Sequence, residues 1–189
     1  MGAGKSELLS YIGKNYNCRI ILADQVAHQV KEPGTKCYDA LVELLSTQIL
    51  DQDGTIHKGK MAEQIFYSQE LLKAVNQIIH PAVKEAILTI IQEEKEKQRL
   101  DFLFIEAALL IEEGYDSILD EIWYIYASKE VRRKRLQESR QYTQEKISAI
   151  MEKQLSDELF RQNAKIIIDN SDSLEKAYQQ IDDKLGEYL

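Results

Sequence analysis

The sequence predicts an α/β fold, in which helices cover both faces of a parallel sheet. Two observations lead to this prediction. Short apolar runs that are typical of buried strands alternate with longer segments in which apolar residues recur at helical spacing. The chain also begins with the glycine-containing segment Met1-Gly2-Ala3-Gly4-Lys5-Ser6, directly before a helical pattern. With 189 residues, it is long enough for one domain with a self-sufficient core.

The opening segment matches the second half of a phosphate-binding loop, G-x-x-x-x-G-K-[ST]. In such a loop, backbone N–H groups hold phosphate oxygens, the lysine reaches the terminal phosphates, and the hydroxyl binds the bridging Mg²⁺. Helical spacing over residues 7–12, a helix end at Gly13 and an apolar strand over residues 18–23 favour this loop over a flexible tail. If Gly4 is the second glycine of the pattern, we expect the first glycine and its strand to precede Met1.

Two acidic residues follow predicted strands. Asp24 lies either at the carboxyl end of the strand over residues 18–23 or at the cap of the next helix. Glu106 ends the apolar run over residues 101–105, which is predicted to be a buried parallel strand. Because ligands of open α/β sheets bind at the carboxyl ends of the strands, we expect Asp24 to face the phosphates. Glu106 is a candidate to hold Mg²⁺ through water, with a structural cap as the alternative.

A long helical region separates these two strands. After the turn at Glu32-Pro33-Gly34, residues 36–45 predict an amphipathic helix. Helical spacing then extends from Lys58 to Lys97, with an interruption at His80-Pro81. Because this region is too large for a simple crossover between strands, it predicts a helical insertion that binds substrate.

The later part of the chain carries its one concentration of basic residues. They are Arg132, Arg133, Lys134, Arg135 and Arg140, on a helix that we expect Ser128 to cap. A solvated helix face is the usual explanation of such a run. In a chain with a phosphate loop, it also predicts a lid whose arginines stabilise charge during phosphoryl transfer. A second lid helix over residues 143–154, a strand over 165–170 and a helix over 173–188 complete the pattern.

The composition narrows the function classes. The net charge of −8 argues against a general nucleic-acid binder, because affinity for phosphate backbones depends on clustered lysine and arginine in excess. No apolar run approaches membrane-spanning length and no signal peptide precedes the glycines, so we expect a cytoplasmic protein without a membrane partner. Cys18 and Cys37 form no metal-ligand pattern, and we expect them to be reduced. The sequence leaves the oligomeric state open.

Several short motifs, taken in order, resemble those of the dephospho-coenzyme A kinase family over essentially the whole chain. The segments that carry the resemblance are Gly2-Ala3-Gly4-Lys5-Ser6, Leu22-Ala23-Asp24, Glu32-Pro33-Gly34-Thr35, Ile49-Leu50-Asp51 with Asp53-Gly54, Ile79-His80-Pro81, Leu109-Leu110-Ile111-Glu112 and Ile168-Asp169-Asn170-Ser171. No single segment is decisive, but the ordered set is specific. The chain departs from the family pattern at four positions. Leu22 and Glu106 stand where the family usually has aspartates, Glu7 where it has a threonine, and Ala108 where it has a proline.

The resemblance implies a P-loop NTPase-type fold with a helical substrate-binding insertion and a helical lid, in a single kinase unit over residues 1–189. It implies a nucleotide-binding core over residues 1–57, 99–135 and 164–189, a helical coenzyme A region over 58–98 and a lid over 136–163. The implied enzyme is a phosphotransferase that uses ATP and Mg²⁺ to phosphorylate the ribose 3′-hydroxyl of dephospho-CoA, the last step of coenzyme A synthesis.

The resemblance also implies roles for individual residues. Those implied in catalysis are Asp24, Lys5 and Arg140. Those implied in ATP binding are Gly2, Ala3, Gly4, Lys5, Ser6, Glu7, Arg135 and Asn170. Those implied in binding dephospho-CoA are Glu32, Pro33, Gly34, Lys58 and His80, and those implied in holding Mg²⁺ are Ser6 and Glu106. For His80 alone, a satisfied interior histidine is the alternative.

Two other functions stay open at the level of the sequence. One is a nucleotide-binding protein with impaired catalysis, because the loop pattern is incomplete in this chain. The other is a kinase for another small metabolite, which would share the loop and the lid but has no reason to carry the E-P-G-T and H-P segments together.

Overall fold

Helices and strands alternate along the chain, as the sequence predicts. The computed structural model describes residues 1–107, 110–111, 114–152, 154 and 156–189. Its helices are α1 (Lys5–Asn15), α2 (Ala23–Gln29), α3 (Lys36–Leu45), α4 (Lys58–Phe66), α5 (Gln69–Lys97), α6 (Lys129–Arg140), α7 (Gln144–Glu152), α8 (Asp157–Asn163) and α9 (Leu174–Gly186). Its strands are β1 (Cys18–Leu22), β2 (Phe102–Glu106), β3 (Trp123–Tyr126) and β4 (Ile166–Asp169).

The chain folds into two compact units. The first unit comprises Met1–Cys18 and Leu109–Leu189, and the second comprises Arg19–Ala108. In the first unit β3 and β4 pair in parallel, from Trp123 opposite Ile166 to Tyr126 opposite Asp169. In the second unit β1 is hydrogen-bonded to β2. This combination of helices with parallel strands confirms the predicted α/β fold class.

Each unit has its own apolar core. In the second unit, helices α3, α4 and α5 and the short 3-10 helix Thr47–Ile49 bury side chains in one cluster; its members are Cys37, Leu41, Leu45, Ile49, Met61 and Val75. In the first unit, almost fully buried side chains come from α1, α6, α7, β4 and α9; they are Leu8, Leu136, Ile147, Ile168 and Ile181. Because α1 contributes Leu8 to this core, the loop that precedes α1 leads into an anchored helix.

The strands are less buried than their apolar sequences predict. Every residue of β2 and of β3 is only half-buried. In the described part of the chain each strand pairs with one neighbour, so its other edge has no strand beside it. Side chains in such a pair have fewer neighbours than those at the centre of a wide sheet, which explains the difference.

Two predicted helix breaks are wrong. Gly13 lies inside α1, which continues to Asn15, and Pro81 lies inside α5, a single helix of 29 residues. A proline removes one backbone hydrogen bond from a helix. In α5, however, the buried residues Val75 and Val83 lie on either side of Pro81, so packing holds the helix together across it.

Other predictions match the structure closely. The helix predicted over residues 36–45 is α3, and the Ser128 hydroxyl caps α6 by accepting a hydrogen bond from the Val131 N–H at 3.3 Å. In the part of the chain that the structure describes, no helix is long and apolar enough to cross a membrane. Ala108, Leu109 and Glu112, which belong to the family motifs, lie outside the described residues. The division into core, coenzyme A region and lid stays a prediction.

Two tyrosines of the α1 region are tied to α9 through one carboxylate. The Tyr16 hydroxyl donates to Asp182 Oδ1 at 2.6 Å, and the Tyr11 hydroxyl donates to Asp182 Oδ2 at 2.8 Å. The Tyr11 ring also stacks on Tyr178, with 3.8 Å between ring centroids. Burial, followed by the hydrogen bond to Asp182, raises the pKa of Tyr16. The hydroxyls therefore stay protonated and hold α1, with its preceding loop, in a fixed direction.

We expect Asp182→Ala to lower the free energy of unfolding by about 1–3 kcal/mol, because it leaves two partly buried hydroxyls without their acceptor. Denaturant unfolding measures this change. The matched control is Asp183→Ala, which removes an exposed carboxylate that accepts a surface hydrogen bond from Gln179. The control should change stability by no more than about 0.5 kcal/mol. Equal losses in both variants would contradict the role given to Asp182.

Candidate functional site

The phosphate-loop segment has the backbone shape that its glycines permit. Gly2 and Gly4 have φ angles of +80° and +84°, a region that other residues adopt only with strain. Gly4 is the N-cap of α1, and no side chain caps this helix end. The Gly4 carbonyl accepts hydrogen bonds from the N–H groups of Glu7 and Leu8 at 3.1 and 3.2 Å. The positive end of the α1 dipole therefore begins at the loop, where it favours an anion.

Asn170 holds the loop from the end of β4. Its side chain is fully buried, and its Nδ2 donates to the Ala3 carbonyl at 2.8 Å. Its backbone N–H donates to the Tyr126 carbonyl at 2.8 Å, which extends the β3–β4 pairing. A Cβ atom on residue 4 would lie 2.3 Å from Asn170 Nδ2. Only glycine fits at this position, for reasons of both backbone shape and space.

Two buried polar atoms beside Gly4 have no hydrogen-bond partner among the described residues. They are Asn170 Oδ1 and Arg135 Nη1. Arg135 Nη1 lies 3.6 Å from the position that a Cβ atom on residue 4 would take. Because buried polar groups are nearly always hydrogen-bonded in native proteins, these two atoms indicate that a ligand or water binds here. A guanidinium at a helix N-terminus fits a phosphate group.

The remaining predicted nucleotide-binding residues lie on α1 and α6. Lys5, Ser6 and Glu7 are exposed in the first turn of α1, so the Ser6 hydroxyl is accessible to a cation. Arg140 is exposed at the end of α6, whereas Arg135 is half-buried and faces the loop. Among the described residues no group of three or more acidic, histidine or cysteine side chains could hold a metal by itself. A Mg²⁺ held by one hydroxyl, phosphate oxygens and waters needs no such group.

The second unit contains the predicted acids and substrate-binding residues. Asp24 is exposed in the first turn of α2, where Leu22 takes the N-cap position, so the alternative that Asp24 caps this helix is wrong. Glu106 is the last residue of β2 and is half-buried.

A cavity of about 200 Å³ lies in the second unit. It is lined by His28, Lys31, Glu32, Pro33, Thr55, Ile56, Lys58 and Met61. It brings together three of the predicted substrate-binding residues: Glu32, Pro33 and Lys58. The other two do not line it, since Gly34 is exposed at the turn and His80 is half-buried within α5.

Sequence reasoning missed Lys31. Its half-buried side chain lines the cavity. In the sequence Lys31 directly precedes the Glu32-Pro33-Gly34 turn, and this position is the only sequence feature that indicates a role in binding. Burial lowers the pKa of Lys31; the charge of Lys58 lowers it further, whereas Cys37 and Asp24 raise it. The Lys31 ammonium is thus close enough to interact electrostatically with both Lys58 and Asp24.

Comparisons with known proteins agree on one family. The family model described as dephospho-CoA kinase matches residues 1–176. A dephospho-CoA kinase from Streptococcus agalactiae is 31% identical, and the match covers 98% of this chain and 93% of the relative. One from Carboxydothermus hydrogenoformans is 31% identical over 96% of this chain and 87% of the relative.

Two solved structures share the fold. A crystal structure of a Thermus thermophilus protein superposes with a TM-score of 0.75 at 24% identity, covering 99% of this chain and 93% of that one. A dephospho-CoA kinase from Campylobacter jejuni superposes with a TM-score of 0.74 at 23% identity, covering 99% of this chain and 92% of that one.

We expect Gly4→Ala to destabilise the protein more than Gly54→Ala. Both glycines have a φ of +84°, but a Cβ atom on Gly54 meets nothing within 4 Å. Gly54→Ala should cost only the backbone strain, about 1–2 kcal/mol. Gly4→Ala should cost that strain plus the displacement of Asn170, about 1–3 kcal/mol more. Denaturant unfolding compares the two variants. Equal losses of stability would mean that the displacement of Asn170 costs no free energy.

Proposed function

The chain belongs to the dephospho-CoA kinase family, and we propose that it transfers the γ-phosphoryl group of ATP to the ribose 3′-hydroxyl of dephospho-CoA, giving coenzyme A. The observation that carries this proposal within the structure is the unpaired Arg135 Nη1 beside the Gly4 backbone. A cationic donor and a helix N-terminus at one loop favour the terminal phosphates of a nucleotide.

In the first unit, we assign the binding of ATP to the loop and to the residues packed against it. The backbone of residues 2–6 would surround the β- and γ-phosphates, and the Lys5 ammonium would neutralise their charge. Arg135 would donate to a phosphate oxygen, while Asn170 fixes the loop through Ala3. Arg140 is assigned to the charge that develops during transfer, because it is exposed at the end of α6, within the predicted lid.

Mg²⁺ belongs to this proposal as the cation that would neutralise phosphate charge during the transfer. The Ser6 hydroxyl would hold it, because it is the exposed oxygen donor in the first turn of α1. Glu106 is the proposed acid that would reach the metal through water. The exposed Glu7 carboxylate lies in the same turn as Ser6 and would be placed near the nucleotide.

In the second unit, Asp24 is the proposed acceptor of the proton that the 3′-hydroxyl loses. The bond from the γ-phosphorus to the ribose oxygen forms as the bond to ADP breaks, and the hydroxyl proton passes to the carboxylate. Lys58, Glu32 and Pro33 would bind dephospho-CoA, because they line one cavity. Gly34 and His80 remain proposed contacts for parts of the substrate outside that cavity.

The direct test is conversion of dephospho-CoA to CoA. We expect one ADP to form for each CoA. The activity should depend on Mg²⁺, so that a chelator abolishes it, and phosphorus NMR should show the new phosphate on the 3′-oxygen of the product.

Lys5→Ala should lower kcat at least about a hundredfold, because it removes one charge that stabilises the transferring group. Lys14→Ala, an exposed lysine in the last turn of the same helix, is the matched control. ATP binding without any conversion would instead favour a nucleotide-binding protein.

A second prediction separates the chemistry from binding. Asp24→Asn keeps the shape of the side chain but removes the proton acceptor, so kcat should fall about 10²–10⁴-fold. The dissociation constant of ATP, measured by calorimetry, should stay within about twofold. Asp39→Asn changes an exposed carboxylate on α3 and should leave both quantities unchanged. Full turnover in Asp24→Asn would remove Asp24 from the mechanism.

A further inference from the structure

The cavity of the second unit contains more positive charge than its own side chains neutralise. Lys31 and Lys58 line it together with His28, and the acidic residue in the lining is Glu32. Among the described residues neither Lys31 nor Lys58 forms an ion pair. Lys60, on the same helix as Lys58, is different because its ammonium contacts the Asp51 carboxylate at 3.3 Å. The charges of Lys31 and Lys58 are therefore available to a ligand of the cavity.

Two lysines on one cavity, one of them half-buried, repel each other unless an anion lies between them. Burial weakens the screening by water that would otherwise make this repulsion small. Burial is the main cause that lowers the Lys31 pKa, and the charge of Lys58 adds a smaller effect in the same direction. A bound anion would remove the repulsion, since each ammonium would gain a charge-assisted hydrogen bond.

The size of the cavity indicates which part of a substrate it holds. At about 200 Å³ it is smaller than pockets that enclose a whole drug-sized ligand, about 300–1,000 Å³. Dephospho-CoA is larger than such a ligand but carries one group with two negative charges, its diphosphate. The diphosphate is attached to the same ribose that bears the 3′-hydroxyl. A cation that binds it should therefore lie near the group that receives the hydroxyl proton, and Asp24 lies one helical turn before His28, which lines the cavity.

We propose that Lys31, with Lys58, binds the diphosphate of dephospho-CoA and thereby positions the acceptor ribose, which makes Lys31 a specificity-determining residue. This proposal rests on the proposed function. It adds a residue that none of the motifs contains, and it predicts that the enzyme recognises its acceptor through the diphosphate as well as through the nucleoside.

The test compares two acceptors in Lys31→Met, which keeps the length of the side chain and removes its charge. For dephospho-CoA, kcat/KM should fall about 10–100-fold through a higher KM, the loss expected for one charge-assisted hydrogen bond. For adenosine, which has the 3′-hydroxyl but no diphosphate, the change should stay within about threefold. Adenosine is measured as an acceptor and as a competitive inhibitor against dephospho-CoA. The KM of ATP should not change.

Two further variants separate a specific role from a structural one. Lys31→Arg keeps the charge and should recover dephospho-CoA kinetics to within about fivefold. Lys73→Met removes an exposed lysine from α5, outside the cavity lining, and should behave as the unaltered chain does. Equal losses for adenosine and dephospho-CoA, or no loss in Lys31→Met, would overturn this inference alone. An unaltered chain that does not phosphorylate dephospho-CoA would overturn the proposed function, and this inference with it.

Discussion

The close approach of Asn170 to Gly4 constrains the loop on which the proposed chemistry depends. The side-chain amide leaves no room for a Cβ atom and holds the Ala3 carbonyl. On the far side of α1, the Asp182 carboxylate holds Tyr11 and Tyr16. The loop is therefore fixed at its backbone and through the helix that follows it. Phosphoryl transfer relies mainly on positioning and electrostatic stabilisation, so a loop that is fixed before ATP binds suits the reaction.

In each unit, the region proposed for a substrate contains cationic groups that form no ion pair with another described residue. In the first unit this group is Arg135, and in the second it is Lys31 with Lys58. The chain has 32 acidic and 24 basic residues, so carboxylates that could pair with these cations are abundant. That none of them pairs with these cations in the described part of the chain is explained if each cation binds an anionic substrate. ATP and dephospho-CoA are both anions, and the overall negative charge of the chain would otherwise repel them.

The sequence predicts the parts of this structure that local chemistry decides. The Ser128 cap, the bounds of α3 and the helix that follows the glycines all depend on neighbouring residues. Prediction from the sequence fails where tertiary packing determines the structure. Pro81 predicts a break, but buried valines on both sides hold α5 together. The cavity next to Lys31 combines residues from α2, α4 and two separate turns, and no spacing in the sequence reveals that they meet.

We propose that Asp24 orients the acceptor hydroxyl as well as accepting its proton. Its carboxylate lies in the first turn of α2, where the helix dipole favours negative charge, and Lys31 attracts it as well. In a loose transition state the attacking oxygen has formed little bonding, so the proton can leave late. In the proposed mechanism the carboxylate would therefore hold the hydroxyl in line with the phosphorus before it accepts the proton, a task that depends on its position.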